Sequence, residues 1–223
     1  MTQAIDVVND IAQELTDPSF RIWSKANLTE YLDSAQLLIS EFRPDATAGI
    51  VNLTLVPGTK QTLPSTARRL LDIVRNMGSD GATPGKPIWA IDEPTLNTFR
   101  PKWHSETGKT VVKNFVYDEK TPDTFYVYPP VHATTAVIVE GKVQQNPDLI
   151  TDVDSDAISL NDSFLTAIKQ WMLYRAYSKE TDSMESRQLA KDHYQSFADV
   201  LGVKLKVLKE YTPSAEIKRD IIK

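Results

Sequence analysis

Proline and glycine are distributed very unevenly along this chain, and their distribution limits what the chain can fold into. Eleven of the 13 prolines and seven of the eight glycines lie between Pro44 and Pro147. Both residue types interrupt helices and favour turns. The flanks, residues 1–43 and 148–223, are therefore predicted to be helical, and the centre is predicted to consist largely of short strands.

Apolar residues in both flanks recur with the 3.6-residue period of an amphipathic helix. The first flank predicts two helices, one from Ala4 to Leu15 and one from the N-cap residue Asn27 to Phe42. The second flank predicts a helix capped by Asn161 or Asp162, and another that Ser183 opens and that Gly202 closes as a C-cap glycine. Val203, Leu205 and Val207 then alternate with lysines, which is typical of a strand.

The centre has a different period, because Val51, Leu53 and Leu55 alternate with polar residues as in a half-buried strand. One helix is predicted over residues 65–77, where Ser65 is a suitable N-cap and Gly78 follows the end. Its apolar stripe would be Ala67, Leu70, Leu71 and Val74. Further β-rich runs cover residues 88–91, 111–117, 125–128 and 136–140.

The predicted fold class is α+β. Residues 1–44 and 148–208 would form an antiparallel helical bundle, and residues 45–147 would form a mainly antiparallel β module that is inserted into it and projects from it. Residues 209–223 would form a C-terminal extension.

Composition excludes several classes of function. The chain of 223 residues contains no cysteine, which excludes disulfide frameworks, thiolate metal sites and cysteine nucleophiles. Its 25 basic and 30 acidic residues give a net charge of −5, which argues against tight nucleic-acid binding. No apolar run approaches the roughly 20 residues of a membrane span, and the first ten residues do not resemble a signal peptide.

Local motifs for chemistry are weak. Gly81 to Lys86 has the wrong spacing for a phosphate loop, and the three histidines are scattered. Asp152, Asp154 and Asp156 alternate as in a calcium loop, but the glycine and glutamate that such a loop needs are missing, so a solvated acidic linker is the better interpretation. We therefore predict no enzyme activity, no metal and no cofactor.

Two linked sets of residues, one in the first half of the chain and one around residues 101–130, form a pattern together with aromatic residues of the second flank. The residues are Trp23, Asn27, Tyr31, Ala35, Gly58–Pro64, Arg75-Asn76, Pro101–Trp103, Tyr117-Asp118, Pro122–Pro130, Tyr174–Tyr177, Tyr194 and Phe197. This pattern resembles a known family, the head-to-tail adaptor (connector) proteins of tailed bacteriophages. The similarity spans most of residues 20–203 and is closest to the branch in which a β domain is inserted into the helical adaptor fold.

The resemblance implies a structural protein of the virion neck, assembled in the host cytoplasm. Such adaptors form a ring, here expected to have 12 subunits, between the portal protein and the tail. The ring extends the channel through which DNA passes without specific binding, and it provides the docking surface for a tail nozzle or tail tube protein and for tail fibres.

Two groups of residues are candidates for the contacts of such a ring. The C-terminal extension carries a local charge of +3 from Gly202 to Lys223 and three late isoleucines, and it is expected to bind the portal through Tyr211, Ile217, Lys218, Arg219, Ile221 and Ile222. Polar residues around the predicted helix 65–77 are interpreted as fold-defining or as subunit contacts: Gln61, Pro64, Arg75 and Asn76. A frayed C-terminus is the alternative for the extension.

Two other functions stay open on the sequence alone. One is a different neck or tail component, such as a tail-completion or fibre-attachment protein. The other is an enzyme or carbohydrate-binding module whose site is assembled only by the fold. The role of the three linker aspartates is not indicated by any motif.

Overall fold

Helices occupy both flanks of the described chain and strands occupy most of its centre, as the distribution of proline and glycine predicts. The computed structural model describes residues 2–180 and 183–211, with side chains as far as residue 202. The helices are α1 (Ala4–Glu14), α2 (Lys25–Phe42), α3 (Glu93–Phe99), α4 (Leu165–Lys179) and α5 (Met184–Tyr211). The strands are β1 (Ala48–Leu55), β2 (Gly58–Thr62), β3 (Ala67–Asn76), β4 (Trp89–Ala90), β5 (Asn114–Tyr117), β6 (Thr124–Val131) and β7 (Val137–Gln145).

The chain divides into a helical unit, made of the described residues within 1–46 and 147–223, and a β unit, residues 47–146. In the helical unit, α1, α2, α4 and α5 bury their apolar faces in one shared core. Ile11, Leu32, Ile39, Ile168 and Met172 are completely buried there. The predicted α+β class, with a helical bundle formed by the two flanks, is confirmed.

Buried polar groups attach the connecting segments to this bundle. The Asp17 carboxylate, in the turn between α1 and α2, accepts hydrogen bonds from the backbone N–H groups of Arg21, Ile22 and Trp23 at 2.9, 2.7 and 3.0 Å. The buried Arg43 guanidinium donates two hydrogen bonds to Asp45 at 2.8 and 2.7 Å. Because a buried carboxylate or guanidinium without partners is costly, these contacts fix the paths of both turns.

Gln36 of α2 also attaches a connecting segment to the helical bundle. It is completely buried, and its Oε1 accepts hydrogen bonds of 2.9 Å from both the backbone N–H and the hydroxyl of Ser159. Its position between Leu32 and Ile39 on the apolar stripe of α2 is the sequence signal that marks it as a buried polar residue.

The β unit consists of two sheets. One has the strand order β1-β7-β3 and the other has the order β2-β6-β5-β4, and all pairs are antiparallel except β4 with β5. Their inner faces share a core to which Leu53, Leu70 and Val139 contribute from the first sheet and Phe125 and Val127 from the second. A smaller cluster of Leu96, Trp103 and Val116, joined by Tyr126 and Tyr128, covers part of the second sheet.

The helix predicted over residues 65–77 is wrong, because this segment forms strand β3. Three irregularities interrupt its pairing with β7, so that ten residues of β3 lie along seven residues of β7, Val139–Gln145. Each extra residue shifts the alternation, and the buried positions become Ala67, Leu70, Ile73 and Asn76. A strand with this three-residue spacing imitates the apolar period of a helix.

Other predicted elements and boundaries also differ from the structure. Gly202 is not a C-cap residue, because α5 continues through it to Tyr211, and residues 203–207 are helical rather than extended. The second helix begins at Lys25, with Ser24 as its N-cap, because the Ser24 hydroxyl accepts a hydrogen bond from the Asn27 N–H at 3.2 Å. The short helix α3 is an element that the sequence pattern did not predict.

Candidate interaction surfaces

Gln61 lies in β2 and holds the turn that connects β1 to β2. It is 2% exposed, and its Oε1 accepts a hydrogen bond of 2.7 Å from the Val56 N–H. Its Nε2 donates to the carbonyl oxygens of Val56 and Gly58 at 2.8 and 3.3 Å. The oxygen and the nitrogen of the amide therefore both form hydrogen bonds within the turn. The turn leads directly into β2, which pairs with β6.

Asn76 ends β3 and connects three segments of the β unit. Its Nδ2 donates to the carbonyl oxygens of Lys86 and Val112, each at 2.9 Å, and its Oδ1 accepts from the Val112 N–H at 2.9 Å. The residue is 5% exposed. It lies at the end of a strand and not in the helix predicted over residues 65–77.

Arg75 and Pro64 are more exposed. Arg75 Nε donates to Glu140 Oε2 at 2.8 Å across the β3–β7 pair, and 43% of its side chain is accessible. Pro64 lies in the turn between β2 and β3, where its carbonyl oxygen accepts a hydrogen bond from the Ala67 N–H at 2.9 Å. Ser65 therefore occupies a turn, and it does not cap a helix.

The predicted portal-binding residues lie at the end of the described chain or beyond it. Tyr211 is the last residue of α5, and only its backbone is described. Ile217, Lys218, Arg219, Ile221 and Ile222 lie outside the described residues. Their role stays a prediction.

The acidic linker before α4 folds back on itself. The Asp156 carboxylate accepts hydrogen bonds from the backbone N–H groups of Asp152 and Thr151, each at 2.8 Å, and from the Thr151 hydroxyl. These bonds lower the pKa of Asp156 below its ordinary value of 3.8. Asp154 forms an ion pair with Lys25 at 3.1 Å. The three carboxylates thus point to different partners, and the described part of the chain contains no cluster of three acidic or histidine side chains placed to hold a metal ion.

Aromatic side chains line the contact between α4 and α5. Trp171 lies between Tyr174 and Phe197, with ring centroids 5.1 and 5.2 Å away, and the rings of Tyr177 and His193 are stacked in parallel at 5.5 Å. Burial lowers the pKa of His193 below its ordinary value of 6.5. An open cleft of about 420 Å³ adjoins this row and is lined by Tyr174, Tyr177, Arg187 and Lys191, among others.

Several large apolar side chains are exposed to solvent. In the helical unit the most exposed are Met184, Ile22 and Phe42, and in the β unit they are Phe99, Ile50 and Trp89. Single exposed apolar residues are common on protein surfaces, so each of these is only a candidate contact. No helix in the described residues is long and apolar enough to span a membrane.

The described chain thus consists of a helical unit with an inserted β unit, in which Gln61 and Asn76 hold turns and loops together. The family model of the SU10 adaptor protein matches residues 2–216, and the chain therefore belongs to the SU10 adaptor protein family. It is a structural phage adaptor protein, and the family implies a place in the virion neck in contact with portal and tail components. No curated protein gives a significant match to the chain.

Proposed function

We propose that this adaptor forms a ring between the portal protein and the tail, extends the DNA channel and presents the surface on which the tail docks. The observation that carries the proposal is the family match over residues 2–216, which includes both units of the chain. The net charge of −5 agrees with a conduit, because a strongly basic lumen would retain DNA as it passes. The architecture also agrees with the branch of adaptors that carry an inserted β domain.

Portal binding is assigned to residues 211–223. Helix α5 is 28 residues long and ends at Tyr211, the first residue of this segment. Three of the last seven residues are isoleucines, whose apolar side chains are unfavourable in contact with water. Their burial in a groove of the portal would contribute roughly 5–8 kcal/mol per subunit before the cost of ordering the segment.

Deletion of residues 211–223 tests this assignment. The truncated protein is expected to keep the far-UV circular dichroism and the thermal midpoint of the full chain, because all core residues that the structure describes in the helical unit precede Gly202. It is expected to lose binding to purified portal rings in sedimentation. Normal portal binding by the truncated protein would move the contact to the helical bundle.

A finer variant separates the isoleucines from the rest of the segment. Ile217, Ile221 and Ile222 are replaced by serine, and the matched control replaces Thr212, Ser214 and Ala215 by Ser, Ala and Ser. We expect only the isoleucine variant to lose portal binding. Normal binding by the isoleucine variant would show that the isoleucines do not carry the contact.

The ring is tested on the portal itself. Twelve copies of the 25.1 kDa chain add about 300 kDa to a portal ring, which native mass spectrometry resolves. A virion reconstruction would show whether the β unit contacts the tail nozzle or fibres, as its many loops suggest. A β unit that lines the DNA channel would contradict this part of the proposal.

Gln61, Pro64, Arg75 and Asn76 are proposed to act in the fold of the β unit and not in subunit contacts. The hydrogen-bond and ion-pair partners described above for these four residues all lie within residues 56–140, inside the β unit. Arg75→Ala is expected to lower stability by less than about 1 kcal/mol and to leave ring assembly intact, because the ion pair is partly exposed. Unchanged stability with loss of assembly would assign Arg75 to a subunit contact instead.

Another neck or tail component, such as a tail-completion or fibre-attachment protein, is the second candidate. It shares the virion location but not the portal contact. Binding of the full chain to isolated tails in the absence of portal, with no binding to portal rings, would favour it.

A further inference from the structure

The two sheets of the β unit have four edge strands, and three of them are unsuited to pair with another strand. Strand β4 has two residues, and β2 has five with an irregular register and an outward Lys60. Strand β3 has three irregularities and carries Arg68, Arg69, Asp72 and Arg75. Short length, bulges and charges are the features by which natural sheets prevent unwanted edge pairing.

Strand β1 has none of these features. Its eight residues pair with β7 in an unbroken register from Ala48 to Leu55, and they include no charged residue and no proline. It ends the order β1-β7-β3, and no other strand of the described chain pairs with its outer edge. Ile50 on its outer face is 65% exposed. A regular, uncharged edge of this length is a template for a further strand.

We propose that β1 pairs antiparallel with β1 of a second copy of this chain, about a twofold axis at Val51. The pairing joins two three-stranded sheets into one of six strands. It goes beyond the proposed ring, because a cyclic ring uses two different surfaces of each subunit, whereas this contact uses the same edge twice. The pairing concerns the free protein, before the chain binds the portal.

The outer edge of β1 is complementary to itself, so the partner that fits it is a second copy of the chain. With the axis at Val51, residues whose numbers add to 102 lie opposite each other, so both strands keep their inner and outer faces aligned. Val51 then faces its own copy, and the outer-face pair is Ile50 with Asn52. The two Ile50 side chains become diagonal neighbours and cover each other. No like charges oppose each other anywhere along the pair.

The backbone supplies most of the attraction. Overlap of residues 48–54 with their copies makes about six to eight backbone hydrogen bonds, depending on which residues direct their N–H groups outward. A shift of the axis to Asn52 would separate the two Ile50 side chains and place the two Asn52 amides opposite each other. The register centred on Val51 therefore covers more exposed apolar surface.

Single cysteines test both the partner and the register, because the natural chain has no cysteine. Val51→Cys is expected to form a disulfide-linked dimer under mild oxidation, since opposite residues of antiparallel strands lie within disulfide reach. Thr54→Cys is the matched control and should stay monomeric, because its copy would lie about 20 Å away along the strands. Efficient linkage of Asn52→Cys but not of Val51→Cys would overturn the register.

Sedimentation equilibrium of the full chain without portal tests the association itself. We expect the mass to rise with concentration from 25.1 kDa to twice that value. Ile50→Lys should weaken dimerisation about tenfold, because the two new lysines would be diagonal neighbours beside Lys142. Leu71→Lys, an equivalent change of an exposed leucine on β3, should leave it unchanged.

The thermal midpoints of both lysine variants should match that of the natural chain. A monomeric mass at all concentrations, together with no linkage of Val51→Cys, would overturn the proposal. Portal binding by the monomer would be unaffected by that result, so the failure of this inference and the failure of the proposed ring are distinguishable.

Discussion

At the scale of single residues, buried polar side chains with complete hydrogen bonding decide how the loops attach. Asn76 uses both amide hydrogens and its oxygen on backbone groups of Lys86 and Val112. Asp17 uses its carboxylate on three backbone N–H groups. In each case one side chain binds several backbone groups that lie outside the helices and strands, so its loss affects a whole segment.

Asn76→Asp is expected to destabilise the β unit by about 2–4 kcal/mol. The change replaces two N–H donors by a carboxylate oxygen that faces two carbonyl oxygens in a buried site. Urea unfolding followed by tryptophan fluorescence measures the loss. The control is Asn52→Asp, whose exposed amide donates one hydrogen bond to Gly81 at 2.8 Å, and which should cost at most about 0.5 kcal/mol. Equal effects of the two changes would contradict the role of Asn76.

The hydrogen bonds of the Asp17 carboxylate are expected to make the free energy of unfolding depend on pH. The Trp23 N–H, followed by those of Arg21 and Ile22, holds the pKa of the Asp17 carboxyl below its ordinary value of 3.8. A lowered pKa in the folded state contributes stability that is present above the unfolded value and is lost as pH falls through the folded one. Asp17→Asn removes this contribution.

The natural chain should therefore be more stable than Asp17→Asn at neutral pH, and the difference should shrink from roughly pH 5 downward. Thermal midpoints of both proteins between pH 3 and 7 measure it. Asp6→Asn, a change of an exposed carboxylate in the first turn of α1, is the control. A difference that stays constant over this pH range would show that Asp17 acts through shape and not through charge.

At the scale of the elements, two glycines have opposite roles. Gly202 lies within α5, and a Cβ atom added there would meet nothing within 4 Å. Gly108 is the opposite case, because an added Cβ would lie 2.7 Å from the carbonyl oxygen of Val131 and 2.9 Å from Cα of His132. One glycine is replaceable and the other allows two backbone segments to approach closely.

Gly202→Ala is expected to stabilise the protein by about 0.5–1 kcal/mol, because alanine loses less backbone entropy than glycine in a helix. Gly108→Ala is the contrasting variant and should destabilise by about 1–3 kcal/mol. Thermal unfolding measures both. If Gly202→Ala destabilised the protein, residue 202 would be a left-handed C-cap and α5 would end there.

At the scale of the whole molecule, the β unit enters and leaves through adjacent strands. Ala48, at the start of β1, lies opposite Gln144, near the end of β7. A unit whose ends lie side by side and which has its own core is expected to fold by itself. The β unit can therefore be inserted in the sequence between α2 and the linker to α4, because its first and last strands lie side by side.

Residues 47–146 expressed alone are expected to show a β-type circular dichroism spectrum and one cooperative unfolding transition. Asn76→Asp in this fragment should lower its stability by the same amount as in the full chain, because all partners of Asn76 lie inside the fragment. A fragment without a cooperative transition would mean that the β unit depends on the helical unit.

Local sequence determined the class of fold, the helical flanks, the β-rich centre and the family resemblance. Proline, glycine and the 3.6-residue period of α1, α2 and α4 act within a few residues of chain, so these elements are readable without a structure. The alternation of Val51, Leu53 and Leu55 in β1 is of the same local kind. The proposed portal contacts from Tyr211 to Ile222 also rest on sequence, and they stay predictions.

Tertiary structure alone decided the identity of β3, the course of α5 beyond Gly202 and the partners of Gln61 and Asn76. Three bulges against β7 give β3 a three-residue burial period, and bulges depend on the partner strand and not on the local sequence. The two amides bind backbone atoms up to 36 residues away. Such contacts form only when distant segments meet, which is why the sequence singles out both residues but places Asn76 in a helix.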